Sequence, residues 1–381
     1  MNRAEFLDSR FSRIASSPRR RAAQLAATVG RLAVGLVVVL SSSAAAAVSL
    51  ETVPIGNPGN AADDTGYGAV GYEFRMGATE VTNAQYVEFL NAVAASDPYE
   101  LFYDRPALSD IYGIVRTGSP GNYAYSVKPP VAGAGLAGTD YAYDDKPVNY
   151  VSVYSALRFA NWLHNGQGSG DTETGAYTLL GGTPTPTNVV MRNPGARWFV
   201  PSEDEWYKAA YFDPASGLYA DYATGTDTAP DNNPPIGNAG GRPPTGDTGN
   251  SANYDFATSN PTYPFTDVGD YALSASPYGT FDQNGNVAEV TESMPELGGM
   301  PIPSLHASRG GSAFDVGSVG QWNLSAASQG AVTPGFKYPA VGFRVAAIPE
   351  PDGAVLACLS TVAAFAIGHG ARRRSATCGG K

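Results

Sequence analysis

The stretch RWFVPSEDEWYKAAYFDP, residues 197–214, holds a strand and a helix in one short run. RWFVP (197–201) is rich in aromatic and β-branched residues, the composition of a short strand. Ser202 and Glu205 follow with the spacing of a capping box, in which hydroxyl and carboxylate each take up a free amide at the helix start. Glu203, Asp204 and Glu205 bring negative charge to the positive end of the helix dipole. Trp206, Ala209 and Ala210 face inward, and Pro214 stops the helix. Three neighbouring carboxylates could also serve acid–base chemistry. The cap and the dipole account for each position, so a solvated first turn is the expectation.

Two further helices lie upstream. In VTNAQYVEFLNAVAAS (81–96), Thr82 and Gln85 form another capping box, and Tyr86, Phe89, Leu90 and Val93 make one apolar face. In VSVYSALRFANWLHNG (151–166), Ser152 caps, Ala156, Phe159, Ala160 and Leu163 form the stripe, and Gly166 ends the helix. Further strand candidates are ASRGGSAF (307–314) and VGFRVAAI (341–348), the latter alternating apolar and polar. The segments 96–145, 166–195 and 213–265 are rich in turn formers yet studded with tyrosine. Ordered loops packed on the body are expected there, although tyrosines also suit a sugar- or protein-binding surface.

Both ends read differently from the middle. Residues 1–47 carry seven arginines, the apolar run LAVGLVVVL (32–40) and a small-residue stretch, the three parts of a secretory signal peptide. At the other end, Pro349, Glu350 and Pro351 precede a short apolar segment (354–367), then Arg372, Arg373 and Arg374, a basic flank that holds its end in the cytoplasm. This order of parts resembles the PEP-CTERM sorting signal of bacterial exported proteins, over 349–374 with a tail at 375–381. The resemblance implies recognition by an exosortase-type membrane protease, with transient anchoring through the apolar segment. Without the ends, 13 basic and 32 acidic residues remain, a net charge of −19. Such a body repels nucleic acid, whose binding depends on Lys and Arg neutralising phosphates. Cys358 and Cys378 both lie in the tail, so the body has neither disulfide nor thiol chemistry.

Six stretches in order resemble one family, the formylglycine-generating (sulfatase-modifying) enzymes: EVTNAQYVEFLNA (80–92), KPVNYVSVYSALRFANWL (146–163), RWFVPSEDEWYKAAY (197–211), GTFDQNGNVAEV (279–290), RGGS (309–312) and VGFRVA (341–346). Length alone allows one large domain or two. The resemblance implies a single α+β domain over 48–348, related to C-type lectins, loop-rich with few short helices and strands.

In the active enzymes a cysteine stands three residues after the RGGS serine and a second five further on, together binding copper. Here those positions hold Asp315 and Gly320. An aspartate is a poor substitute for the thiolates that hold copper(I), so no copper is expected. Ala288 and Val290 stand where the family carries indoles, as do Ala313 and Val153, and Gln329 where an arginine is common. The resemblance further implies calcium ligands at Asn286 and Glu289. Asn253 matches a ligand of a second calcium site, whose partner acid appears as Gly269. His164, expected at a helix end, and His306, expected in a loop, lack metal-ligand spacing. Ser312 has only His306 as a sequence-near base, and no nucleophile elbow surrounds it.

The expectation is an exported cell-surface or matrix protein whose domain binds or builds without catalysis, with extracellular polysaccharide or surface proteins as partners. The alternative is an oxidoreductase converting cysteine to formylglycine in sulfatases.

Overall fold

A computed structural model describes residues 47–104, 110–181, 190–235 and 246–349. The chain divides into Met1–Ala44 and Ala45–Lys381, and every described residue belongs to the second unit. The signal-peptide reading of 1–47 falls almost wholly outside the described residues.

Strands β1 (Thr52–Ile55) and β2 (Phe74–Gly77) precede helix α1 (Asn83–Val93). The hairpin of β3 (Ile114–Thr117) and β4 (Ala124–Val127) leads on to α2 (Val153–His164). Then β5 (Trp198–Phe199) runs into α3 (Glu203–Tyr211), followed by the hairpin of β6 (Phe212–Asp213) and β7 (Leu218–Tyr219). The last third holds β8 (Ala288–Val290), the hairpin of β9 (Glu296–Leu297) and β10 (Met300–Pro301), β11 (His306–Arg309), α4 (Gly317–Leu324), β12 (Gly330–Val332), β13 (Val341–Gly342) and β14 (Ala346–Ala347). Two four-stranded sheets organise these pieces, in the orders β1-β2-β14-β5 and β12-β11-β8-β13. The fold is α+β and loop-rich, with few short helices and strands.

Capping sets the helix starts as the sequence predicts. Thr82 and Gln85 form a reciprocal box at α1, and Ser202 and Glu205 do so at α3. Ser152 accepts the Ser155 amide at α2. Helix α1 lays Tyr86, Phe89 and Leu90 against Phe159 and Trp162 of α2 and against Phe343. The Phe89 and Phe159 rings meet edge to face, centroids 5.3 Å apart, which adds about 0.5–1.5 kcal/mol to their burial.

Three expectations need correction. Helix α2 is buried from Val153 to Leu163, not on one stripe alone. The loop that follows wraps its polar side: Asn161 donates to the Thr172 and Tyr177 carbonyls and accepts the Tyr177 amide, while Arg158 pairs with Glu173. The segment 341–348 is not one alternating strand. It splits into β13, parallel to β8, and β14, antiparallel to β2 and β5. Arg344 between them is wholly buried where alternation puts a solvent-facing side chain. Finally, His306 opens strand β11 and is not in a loop. The tyrosine-rich loops are largely core: Tyr112, Tyr125, Tyr141, Tyr143, Tyr177 and Tyr254 are all buried.

Candidate functional site

Strand β11 ends at Arg309, and the chain turns through Gly310 with φ 93°. A Cβ there would lie 2.7 Å from the Gln283 carbonyl oxygen, so only glycine permits this approach. The turn delivers Ser312 and Asp315 to each other. One Asp315 oxygen, Oδ2, accepts from the Ser312 amide at 2.6 Å and the Ser312 hydroxyl at 2.9 Å. Oδ1 accepts from Asn323 Nδ2 at 2.8 Å. This carboxylate caps the turn and ties it to α4. Gly320 lies buried inside α4, and a Cβ on it would stand 2.5 Å from the Asp315 carbonyl oxygen. The two positions are neighbours in space, and both are filled by structural contacts.

Arg309 is a buried ion-pair partner and offers no free cation beside the glycines. Its Nε donates to Glu203 at 2.7 Å, its Nη1 to the Ala326 and Ser328 carbonyls, and its guanidinium lies over the Tyr67 and Tyr207 rings. Gln329 also donates to Glu203. The expected solvated first turn of α3 is therefore overturned at two of its three acids. Glu203 and Glu205 are both buried. Burial pushes the Glu203 carboxyl up, against the lowering pull of Arg309. Burial acts likewise on Glu205, yet the two-pronged Arg192 contact, at 2.8 and 2.5 Å, leaves it below the usual range. Asp204, half-buried, accepts the Gly68 amide.

The residues matched to calcium ligands converge, but their donors are already engaged. Glu289 sits in the middle strand β8, wholly buried. Its Oε2 accepts from Arg344 Nε at 2.5 Å and from the Trp206 indole at 2.9 Å, and its Oε1 from Arg344 Nη2 at 2.6 Å. Asn286 and Asn253, assigned to separate sites, are hydrogen-bonded to each other. Asn253 Nδ2 donates to Asn286 Oδ1 at 3.0 Å, and the Thr266 amide points at the same oxygen. The Asn286 carbonyl accepts from the Ala313 amide. Asn253 Oδ1 and Asn286 Nδ2 lack partners, and of the two only the former could ligate a cation. Gly269, in the partner acid's position, donates its amide to Asp282. Calcium takes six to eight oxygens; a carboxylate neutralised by an arginine and an amide oxygen facing two N–H groups do not supply them. This residue set does not fit calcium.

The histidines are apart from these residues. His164 Nδ1 accepts the Arg197 amide at 3.0 Å, and His306 Nδ1 is paired with the Thr291 carbonyl at 3.1 Å. The Ser312 hydroxyl is donated to Asp315, not to His306. Pro349 is exposed at the end of the described chain, while Glu350, Pro351, Arg372, Arg373 and Arg374 lie outside the described residues. Among the described residues no helix is long and apolar enough to cross a membrane. Sequence reasoning missed Arg344 as the hub between the sheets, and the buried carboxyls of Glu80 and Asp282, the second of which pushes the first up. Each sits in a quoted motif, but only the fold brings them together.

Residues 61–348 match the family described as the sulfatase-modifying factor enzyme 1-like domain. Among solved structures, the chain is similar to CarF, at 20% identity with a TM-score of 0.48, covering 79% of this chain and 99% of that one. It is also similar to variable protein 1 of Treponema denticola, at 19% identity and a TM-score of 0.47, covering 79% and 96%. The likeness to PvdO from Pseudomonas aeruginosa is 17% identity with a TM-score of 0.41, covering 79% and 93%. No curated protein matches.

Proposed function

Since the chain belongs to the sulfatase-modifying factor enzyme 1-like family, we propose that its domain is a binding or structural module that has left the family's redox chemistry. The observation that carries this reading is the content of two positions. Asp315 and Gly320 stand where the resemblance implies cysteines, and residues 48–349 contain no cysteine at all. A thiolate pair is what retains copper(I). A carboxylate fully used by Ser312 and Asn323 cannot replace one. The test is incubation with a cysteine-containing sulfatase peptide, with and without copper. No formylglycine above a heat-killed control is expected, and clear turnover would reject the reading in favour of the oxidoreductase.

The proposal extends to export and sorting. The basic and apolar start, and the PEP segment with its apolar run and arginine cluster, support a mature surface or matrix protein cut near Val48 and near Pro349–Pro351. Intact mass from the native host tests this, and the mass of the uncut chain would reject it. The acidic body suits extracellular polymers or surface proteins as partners and disfavours nucleic acid. A glycan and polymer binding screen on the full chain addresses the partner class.

A further inference from the structure

Residues 102–104 and the β3–β4 hairpin border an open cleft of about 480 Å³, within the size range of small-ligand sites. It lies between the first two family motifs, so the resemblance assigns it no role. Phe102, Tyr103, Tyr112 and Tyr123 give it aromatic walls, and Asp104 and Arg116 stand among them. The Tyr103 ring stacks on that of buried Tyr150, with centroids 4.3 Å apart and planes within 9°. Tyr103 lines the cleft and Tyr150 does not, so the face away from Tyr150 is the one turned to the cleft. Tyr112 stands nearly perpendicular to both rings, at 81° and 90°.

Unusual backbone geometry holds this platform. Asp97, Glu100 and Tyr150 lie in the left-handed region, at φ 46°, 52° and 52°, which residues other than glycine seldom adopt. The buried Asp97 carboxylate accepts the Leu101 amide at 2.7 Å and the Phe102 amide at 3.1 Å. Lys337 donates to the Glu100 and Phe102 carbonyls. Backbone strain that the surroundings maintain clusters at ligand sites. A ring fixed beforehand also loses little freedom when a ligand lands on it.

Charge narrows the class of occupant. Arg116 donates to Asp104, lies 3.6 Å from Asp97, and covers the Phe102 and Tyr123 rings at 4.7 and 4.2 Å. A ligand cation therefore finds those two rings taken, and a polyanion meets a body of 13 basic and 32 acidic residues. A wholly apolar ligand would strip water from the Asp104–Arg116 pair without replacing it. A neutral, polyhydroxylated ligand meets every condition: a sugar ring has a flat C–H face for Tyr103 and hydroxyls for the rim. At that rim the Asp104 side chain is 62% exposed, and Arg116 is its one partner among the described residues, which leaves a carboxylate oxygen to accept. We propose that the cleft binds a short segment of neutral polysaccharide, with one hexose stacked on Tyr103 and a hydroxyl donated to Asp104. This site rests on the reading of the domain as a binding module.

The test is calorimetric titration of the full chain with cellohexaose, maltohexaose, laminarihexaose and mannohexaose. At least one should bind saturably below about 10 mM, with an affinity unchanged between about 0.05 and 0.5 M salt because no ion pair forms. Tyr103→Ala should weaken binding at least about tenfold and Tyr103→Phe by less than about twofold, since the ring and not the hydroxyl makes the stack. Asp104→Ala should weaken it as well. No saturable binding of any of the four sugars would overturn the proposal, and so would a Tyr103→Ala variant that binds like the wild type. If Tyr103→Ala fails to fold, Asp104→Ala at its exposed position decides, since unchanged affinity would put the sugar elsewhere. Tighter binding of decaproline or alginate, lost in the same variants, would replace the sugar by a peptide or a polyanion and overturn the proposal too. The binding-module reading fails separately, on formylglycine turnover, whether or not a sugar binds.

Discussion

Gly320 faces Asp315 so closely that a Cβ at 320 would stand 2.5 Å from the Asp315 carbonyl oxygen. Backbone, not a flexible side chain, blocks the space, and Asp315 Cα is itself fixed by three hydrogen bonds to its carboxylate. Gly320→Cys should therefore destabilise the fold by about 1–3 kcal/mol, the usual cost of overpacking. In the double variant with Asp315→Cys, the copper(I) affinity of a preformed dithiolate should be absent. Urea midpoints and a competitive copper(I) titration measure the two effects. A stable, tight-binding double variant would show that the site was only dormant.

The Glu289–Arg344 pair, wholly buried at both ends, should respond strongly to loss of either partner. Arg344→Met leaves a buried carboxylate with only the Trp206 indole and should cost about 3–5 kcal/mol. Arg344→Lys should not rescue, because an ammonium cannot reproduce the two-pronged contact and the carbonyl bonds. Denaturant unfolding of both variants gives the comparison.

Glu289→Gln should lower the melting temperature by the same amount in calcium and in chelator. Its oxygens serve Arg344 and Trp206, not a cation. A calcium-induced rise seen in the wild type should thus persist in this variant. Selective loss of that rise would return Glu289 to the calcium ligands.

Stability should fall as pH rises from the usual carboxylate range towards neutrality. Glu80 and Asp282 are both pushed up, by burial first and by neighbouring carboxylates next, with Asp282 also opposed by the Gly269 amide and Arg344. A carboxyl raised in the fold keeps its proton after the unfolded chain has lost it. The folded state then binds more protons across that window, and stability declines with increasing pH. The groups facing this pair are Glu289, Arg344, Asp270 and Tyr271. Glu80→Gln should flatten the decline, read from melting temperature between about pH 4.5 and 7.5. An unchanged slope would assign the effect to other groups.

Local chemistry made much of the fold legible. The capping boxes Thr82–Gln85 and Ser202–Glu205 involve residues three apart, so sequence spacing alone fixes them. The order of motifs carried the family and the α+β class, and the lack of body cysteines supports the proposal that the copper chemistry is lost. Helix α4 was not legible. It has no side-chain cap, holds two glycines, and exposes Val319 and Trp322 while burying only Gly320 and Leu324. No apolar stripe announces it, and packing against Asp315 and Tyr254 holds it in place.

What only the tertiary structure decided is which charges meet. Arg344 looked like the polar member of an alternating strand, and Glu203 and Glu205 like a solvated turn. Each is buried because a partner distant in sequence arrives beside it: Glu289 for Arg344, Arg309 for Glu203, Arg192 for Glu205. Burial of a charge is tolerable only with such a partner. Periodicity describes a residue's own element and carries no information on what another element brings. For the same reason Glu80 read as an ordinary motif residue. Its carboxyl is pushed up only because the fold buries it within reach of the Asp282 and Glu289 charges, with Arg344 already paired to Glu289.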